Sequence, residues 1–138
     1  MSANQQEIQL FLEAEFPQSL QQCSIISIGS KKAQVRFKVD LDQLRPGGTV
    51  SGPSIMTVAD FALYVAILAE RGLVALAVTS NININFLRKP DGTRDLIAES
   101  RLIKSGKTLI VGEVWVYSEG IEDAVAHVTG SYSIPIKS

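Results

Sequence analysis

The stretch SGPSIMTVADFALYVAILAERG, Ser51 to Gly72, constrains this chain more than any other. It reads as a single helix. Pro53 suits a first helical turn, where a missing N–H is harmless, with Ser51 or Gly52 at the cap. Gly72, after Glu70 and Arg71, reads as the stop. Apolar residues surround the helix on all sides, so it has to be buried. The run Ser54–Ala69 is shorter than the ~18 or more apolar residues of a membrane span, and it carries an acid, Asp60.

Covering such a helix takes a large apolar partner, and the rest of the chain supplies strands. In KAQVRFKVD, Val35, Phe37 and Val39 alternate with Gln34, Arg36 and Lys38, the mark of a half-buried strand. CSIISIG precedes it. VALAVTSNININFL is longer, with Ser80, Ile82, Ile84 and Phe86 on one face and Asn81, Asn83, Asn85 and Leu87 on the other. DLIAESRLIKS, KTLIVGEVWVYS and EDAVAHVTGSYSIPI follow, separated by short turns at Ser105-Gly106 and Glu119-Gly120, which imply antiparallel hairpins. DQLRPGGTVSGP is a loop dense in Gly and Pro. At the N-terminus, Asn4 and Glu7 predict a capping box opening a helix with Ile8, Phe11, Leu12 and Phe16 on one side, ended by Pro17. The pattern predicts an α+β fold: one domain over residues 1–138, with one buried helix against an antiparallel sheet.

Composition narrows the function classes. The 138 residues are 46% hydrophobic and 20% charged, enough for a core and too apolar for disorder. A net charge of −1 with no basic tract argues against nucleic acid. Cys23, the single cysteine, rules out an internal disulfide framework and fits a reducing compartment. MSANQQEIQLFLEAEF lacks the basic start and apolar block of a secretory signal, so the expectation is a soluble cytoplasmic protein. No metal-ligand cluster and no nucleotide fingerprint appear, and no metal or cofactor is expected.

A buried carboxylate is costly unless it has partners or a job. At ~100° per residue, Ala59, Ala62, Ala66 and Ala69 fall on one side of the helix and Asp60 roughly opposite. The small residues allow close approach to a sheet or another backbone. The Asp60 side also carries Met56, Thr57, Leu63, Tyr64 and Ile67, a surface suited to a partner subunit, an apolar ligand, or both. A purely structural Asp60 would pair with Arg45 or Arg88, or bond Thr57 or Tyr64 on neighbouring turns. His127 alternates with Ala126 and Val128 on one strand face, without placeable partners for a triad or a metal. Cys23 reads as packing.

Two segments together, SGPSIMTVAD and TSNININFLRKP, resemble the hotdog-fold acyl-CoA thioesterases of the phenylacetate-degradation (PaaI-like) type, with weaker echoes in KSGKTL and AHVTGSYSI. The resemblance runs from about Leu41 to the end. It implies a sheet wrapped around one long central helix, dimers pairing sheets edge to edge, often tetramers, and hydrolysis of acyl- or aryl-CoA thioesters at the subunit interface. Carried over, the helix acid acting as general base or nucleophile is Asp60. The first motif glycine is Gly52, near the backbone N–H that polarises the thioester carbonyl, and the strand hydroxyl that helps place water or substrate is Thr79. Three positions depart from the pattern: Ser51 stands at the family's histidine, Pro53 at its second glycine and Arg45 at an upstream position that is often Asn.

The chemistry is physically sound. Shielded by apolar neighbours, Asp60 is a better base than a solvated acid, and helix N-terminal N–H groups are ready anion donors. Ser51 can bond locally or cap the helix, Pro53 removes one donor, and Arg45 can neutralise Asp60. Met56, Thr57 and Tyr64 would line the acyl group. Asn81, Asn83 and Asn85 could be solvated, bond across a dimer seam, or follow a pantetheine arm. Lys107, with Arg88, Lys89, Arg101 and Lys104, could meet CoA phosphates. The alternative reading is a non-hydrolytic module that binds acyl-CoA or acyl-carrier protein. A hydratase on this fold is disfavoured, since no Asp…His pair lies at the required spacing.

Overall fold

The structure, a computed structural model, describes residues 3–40, 44–45, 49–73 and 78–134, with the backbone alone described at 44, 45 and 49. Helix α1, Gln5–Glu15, opens on the expected capping box: Glu7 N–H donates to Asn4 Oδ1 at 2.8 Å and Asn4 N–H to Glu7 Oε1 at 3.0 Å. Ile8 and Leu12 carry its buried face. A short 3-10 turn from Pro17 leads into the hairpin of β1, Cys23–Gly29, and β2, Lys32–Phe37. The stretch expected to be loop contains a small hairpin, β3 (Leu44–Arg45) with β4 (Thr49–Val50). The density of Gly and Pro in the sequence signals a loop and hides strands of only two residues.

Helix α2, Gly52–Arg71, has Ser51 as N-cap and Gly72 as C-cap, the latter at φ 88, in the left-handed region that favours glycine. Strands β5 (Val78–Phe86), β6 (Leu96–Ser105), β7 (Leu109–Ser118) and β8 (Ala126–Ser133) follow. The beginning of the expected long strand, residues 74–77, lies outside the described residues. Six strands form one antiparallel sheet in the order β1-β2-β6-β7-β8-β5, and α2 packs across it against β1, β2, β6, β7 and β8. This is the hotdog arrangement, α+β with one long central helix and an N-terminal helix.

The period-2 pattern sets the faces. Leu96, Ala98, Ser100 and Leu102 of β6, Ile110, Val114 and Val116 of β7, and Ala126, Val128 and Tyr132 of β8 are buried towards α2. The alanine stripe does what small residues permit: the Ser100 hydroxyl donates to the Ala62 carbonyl at 2.7 Å, so helix backbone and sheet come within hydrogen-bond range. Leu63 fills the middle. A Cβ added at Gly112 or Gly130 would stand 2.6 or 2.9 Å from its methyl carbons. By length and composition α2 is also long and apolar enough to cross a membrane, a correction to the shorter run read from the sequence, because the helix starts at Gly52 and runs to Arg71. With 61% of its most apolar stretch buried in the fold, it has the surroundings of a core helix.

One register detail positions the site. Thr79 lies opposite Tyr132 and Asn81 opposite Ser131, so Ser80 is an extra residue, a β-bulge. Strict alternation would put Ser80 on the face of Ile82, Ile84 and Phe86. The bulge instead turns Thr79 towards α2, and the Ser80 hydroxyl bonds that of Ser133.

Candidate active site

Asp60 is half-buried on α2, facing the end of the sheet where β5 meets β8. Two neutral donors hold one of its oxygens. Thr79 Oγ1 donates to Asp60 Oδ1 at 3.2 Å, and the Tyr132 hydroxyl donates to the same oxygen while lying 3.2 Å from the Asp60 main-chain carbonyl. Tyr132 is 3% exposed. Burial, and then the adjacent carboxylate charge, push its phenol well above the ordinary tyrosine range, so it stays protonated and available as a donor.

The structural alternatives for Asp60 are otherwise engaged. Arg88 donates to the Ala124 carbonyl, Thr57 bonds back to the Pro53 carbonyl at 2.9 Å, and Tyr64 packs edge-on against Phe16 with ring centroids 6.3 Å apart. Burial and the nearby Glu15 raise the Tyr64 phenol. The Arg45 side chain lies outside the described residues. Among the described residues, no Lys, Arg or His forms an ion pair with Asp60.

The start of α2 is the second element. The Ser51 hydroxyl accepts from Ser54 N–H at 3.3 Å and bonds the Ser54 hydroxyl at 2.9 Å, the local cap that serine was expected to form. Pro53 has no N–H. Gly52 is therefore left as the first-turn donor without a partner among the described residues. The Phe86 ring lies beside it, 3.5 Å from where a Cβ on Gly52 would stand. Yet Gly52 and Asp60 do not meet. Their eight-residue separation spans about 12 Å of helix axis. The N–H points off the helix end, whereas the carboxylate projects sideways.

Apolar surface lies open around these two points: Met56 is 45% exposed, Val78 60%, Phe86 58% and Leu87 47%. Thr57 is exposed beside Met56. Other expected site residues lie elsewhere. Asn81 is exposed opposite Ser131, on the face of the sheet away from α2. Lys107 is in the β6–β7 turn, where its carbonyl and that of Gly106 accept from Arg71 at the far end of α2, roughly 16 Å along the axis from Asp60.

On the outer face of the sheet, His127 bonds Glu113 at 2.9 Å, Arg101 reaches the other Glu113 oxygen at 2.5 Å, and Trp115 stacks on His127 with centroids 4.2 Å apart. This histidine has partners, but it lies on the opposite side of the sheet from Asp60. Burial pushes the Cys23 thiol up to about 12, which keeps it protonated and inert as packing. Two clefts of about 500 and 320 Å³, both lined by Gln34 and Glu99, do not reach Asp60.

Tyr132 is the site residue that the sequence reading missed. The inward row Ala126, Val128, Gly130 extends to it, so its face was readable. Its meeting with Asp60 depends on tertiary packing.

The model of the thioesterase superfamily matches residues 47–125, more than half of the chain. The chain belongs to the thioesterase superfamily. A candidate thioesterase from Silicibacter sp. TM1040, solved by crystallography, is 44% identical over 96% of this chain and 92% of its own, with a TM-score of 0.89. The PaaI protein of the E. coli phenylacetic acid degradation operon shares the fold at 22% identity, covering 95% of this chain and 92% of its own, with a TM-score of 0.81. So does a hypothetical thioesterase of Streptococcus pneumoniae TIGR4 solved with coenzyme A, at 18% identity, 93% and 96% coverage and a TM-score of 0.77. No curated protein matches the chain significantly. The stretch of this superfamily member that matches the model includes Gly52, Asp60 and Thr79 and stops before Tyr132.

Proposed function

We propose that this member of the superfamily hydrolyses acyl-CoA or aryl-CoA thioesters, with Asp60 as the base. The observation that carries the reading is a half-buried carboxylate held by two neutral donors at an uncovered apolar face, with no cationic partner among the described residues. A structural acid is usually paired with a cation; one held only by hydroxyls, beside open apolar surface, fits a group with chemistry to do. Coenzyme A is the carrier to test first, because a neighbour of the same fold was solved with it.

In the reaction, a water held by Asp60 gives its proton to the carboxylate while its oxygen adds to the thioester carbon. The oxyanion that develops needs a donor, and the Gly52 N–H is suited to it. Collapse breaks the C–S bond, and the departing thiolate takes the proton back from Asp60, leaving acid and free CoA. Direct attack by Asp60 would give the same products through an anhydride that water then opens.

A reacting chain of carboxylate, water, carbonyl and N–H closes over roughly 8 Å in links of about 3 Å. That is less than the ~12 Å of helix axis between the Asp60 and Gly52 backbones of one chain, whose two groups also point in different directions. The working site therefore takes its acid from one copy and its N–H from a second. Strand β5 suits such pairing: it ends the sheet, and beyond the bulge at Ser80 its residues Asn-Ile-Asn-Ile-Asn-Phe run in regular register with no charge and no proline, two of the devices that keep free edges apart. A homodimer joined along β5 supplies both halves twice, and a tetramer of such dimers retains them.

The test is thiol release from a panel of acyl- and aryl-CoAs by the wild type and by Asp60→Asn. The variant should lose about 100- to 10,000-fold in kcat/KM with an unchanged circular dichroism spectrum. Wild-type rates in the variant would refute the role of Asp60. With Pro53 and the Ser51 cap leaving one first-turn donor, the competing reading is a binding module. It predicts that the wild type binds intact thioesters tightly and releases no thiol.

A further inference from the structure

We infer that Tyr132 is a positioning residue for the reacting acid: with Thr79 it holds Asp60 by Oδ1 and so presents Oδ2 to the substrate side. The inference rests on reading Asp60 as the reacting group. Both side-chain hydrogen bonds to Asp60 end on Oδ1, one from β5 and one from β8. They come from neighbouring strands in register, since Thr79 and Tyr132 are directly opposite each other through the bulge at Ser80. Among the described residues, Oδ2 has no partner.

A carboxylate gripped at one oxygen cannot spin freely about its Cβ–Cγ bond, so the other oxygen has a fixed direction. Holding the base in one orientation is how a fold removes the entropy of finding it. The tyrosine suits the task. It is only 3% exposed, held in the wall of the sheet, and remains a donor over the whole working pH range. Its second acceptor, the Asp60 carbonyl at 3.2 Å, keeps the hydroxyl bonded when the carboxylate takes up a proton. Among the described residues, the titratable group that contacts Asp60 from a packed element is Tyr132 of β8, while Tyr64, one turn along α2, packs against Phe16. Thr79 from β5 does not titrate.

The experiment compares the wild type with Tyr132→Phe, which keeps the ring and removes the hydroxyl. The first measurement is the Asp60 side-chain carbon resonance by NMR at fixed neutral pH, which needs no turnover. Loss of the hydroxyl donor should shift that resonance. In turnover, kcat should fall about tenfold with KM held. A resonance that shifts in a protein releasing no thiol upholds the grip on Asp60 and sinks the hydrolase reading. An unmoved resonance overturns the inference whatever the activity. Should Tyr132→Phe fail to fold, the wild-type hydroxyl proton of Tyr132 serves instead. Slow exchange, with a resonance that shifts as Asp60 titrates and shifts again in Asp60→Asn, upholds the contact; a resonance indifferent to both overturns it.

Discussion

Gly52 and Asp60 stand on the same helix and face different directions, the N–H off its end and the carboxylate out of its side, about 12 Å along the axis. If the site needs both, two defective chains can repair each other. Gly52→Pro removes the N–H at a position where helices accept proline, and Asp60→Asn removes the base. Each variant alone should be folded and nearly inactive. Coexpressed, they should recover about a quarter of wild-type thiol release, because half of the random dimers are mixed and each mixed dimer holds one intact site. Mixtures no more active than the separate variants would place both groups in one chain and sink the shared site.

The register of the proposed dimer is written in β5. Asn81-Ile82-Asn83-Ile84-Asn85 reads the same in both directions, so antiparallel pairing of two copies about Asn83 sets each isoleucine against isoleucine and each asparagine against asparagine. Opposed Cα atoms would then be about 4.5–5.5 Å apart, within disulfide range. Asn83→Cys should form a disulfide dimer under mild oxidation, seen on a non-reducing gel, whereas Asn81→Cys alone should not and Asn81→Cys mixed with Asn85→Cys should. The native Cys23 is buried and does not interfere. Cross-linking that is equal at all three positions would mean a different or mobile seam.

How much of this was legible beforehand depended on whether the signal was local. The α2 caps, the Asn4–Glu7 capping box and the alternation of β2 are encoded within a few residues, and the fold confirms them. The sequence reaches Thr79 only through a family pattern, as a hydroxyl that places water or substrate and not as a partner of Asp60, because strict alternation puts Thr79 with Asn81, on the wrong face. The bulge at Ser80 that corrects this has no signature in neighbouring side chains: it is settled by pairing with Ser133 and Ser131, some fifty residues along the chain. Tyr132 was hidden for the same reason. The sides of α2 were also only partly readable. Leu63 and Tyr64 are adjacent and fall on the Asp60 side by helical spacing, but Leu63 turns under the sheet onto Gly112 and Gly130, while Tyr64 meets Phe16.

That placement of Leu63 makes Gly130 a packing glycine. A Cβ there would sit 2.9 Å from Leu63 Cδ1 and 3.5 Å from the Asn81 carbonyl, so the clash is mainly with one side-chain methyl. Gly130→Ala should destabilise the fold by about 1–3 kcal/mol through overpacking. Leu63→Val, which shortens the offending branch, should cost about 1 kcal/mol alone and less than that in the presence of Gly130→Ala. Urea denaturation of the four proteins measures the coupling. Strict additivity would show that the strain at Gly130 lies in the backbone and not against Leu63.

On the outer face, the hydrogen bond from His127, and then the one from Arg101, hold the Glu113 carboxyl below its ordinary range. Its folded pKa lies under the unfolded value of about 4.3. The stability it contributes is therefore complete above that pH and is lost as pH falls through the folded value. Glu113→Gln removes the charge and with it this contribution. The Tm gap between wild type and variant should be full at neutral pH, narrow below about pH 4, and close once Glu113 is protonated in the folded state. Arg101 is largely exposed, so salt should shrink the neutral-pH gap in part, leaving the share due to the more covered His127 contact. Thermal melts across pH 2–7 at two salt concentrations would measure this. A gap that widened below about pH 4, where Glu113 takes up its proton, would mean that Glu113 is stabilised as the neutral acid, and the His127–Glu113–Arg101 cluster could not then be the ionic contact that its geometry describes.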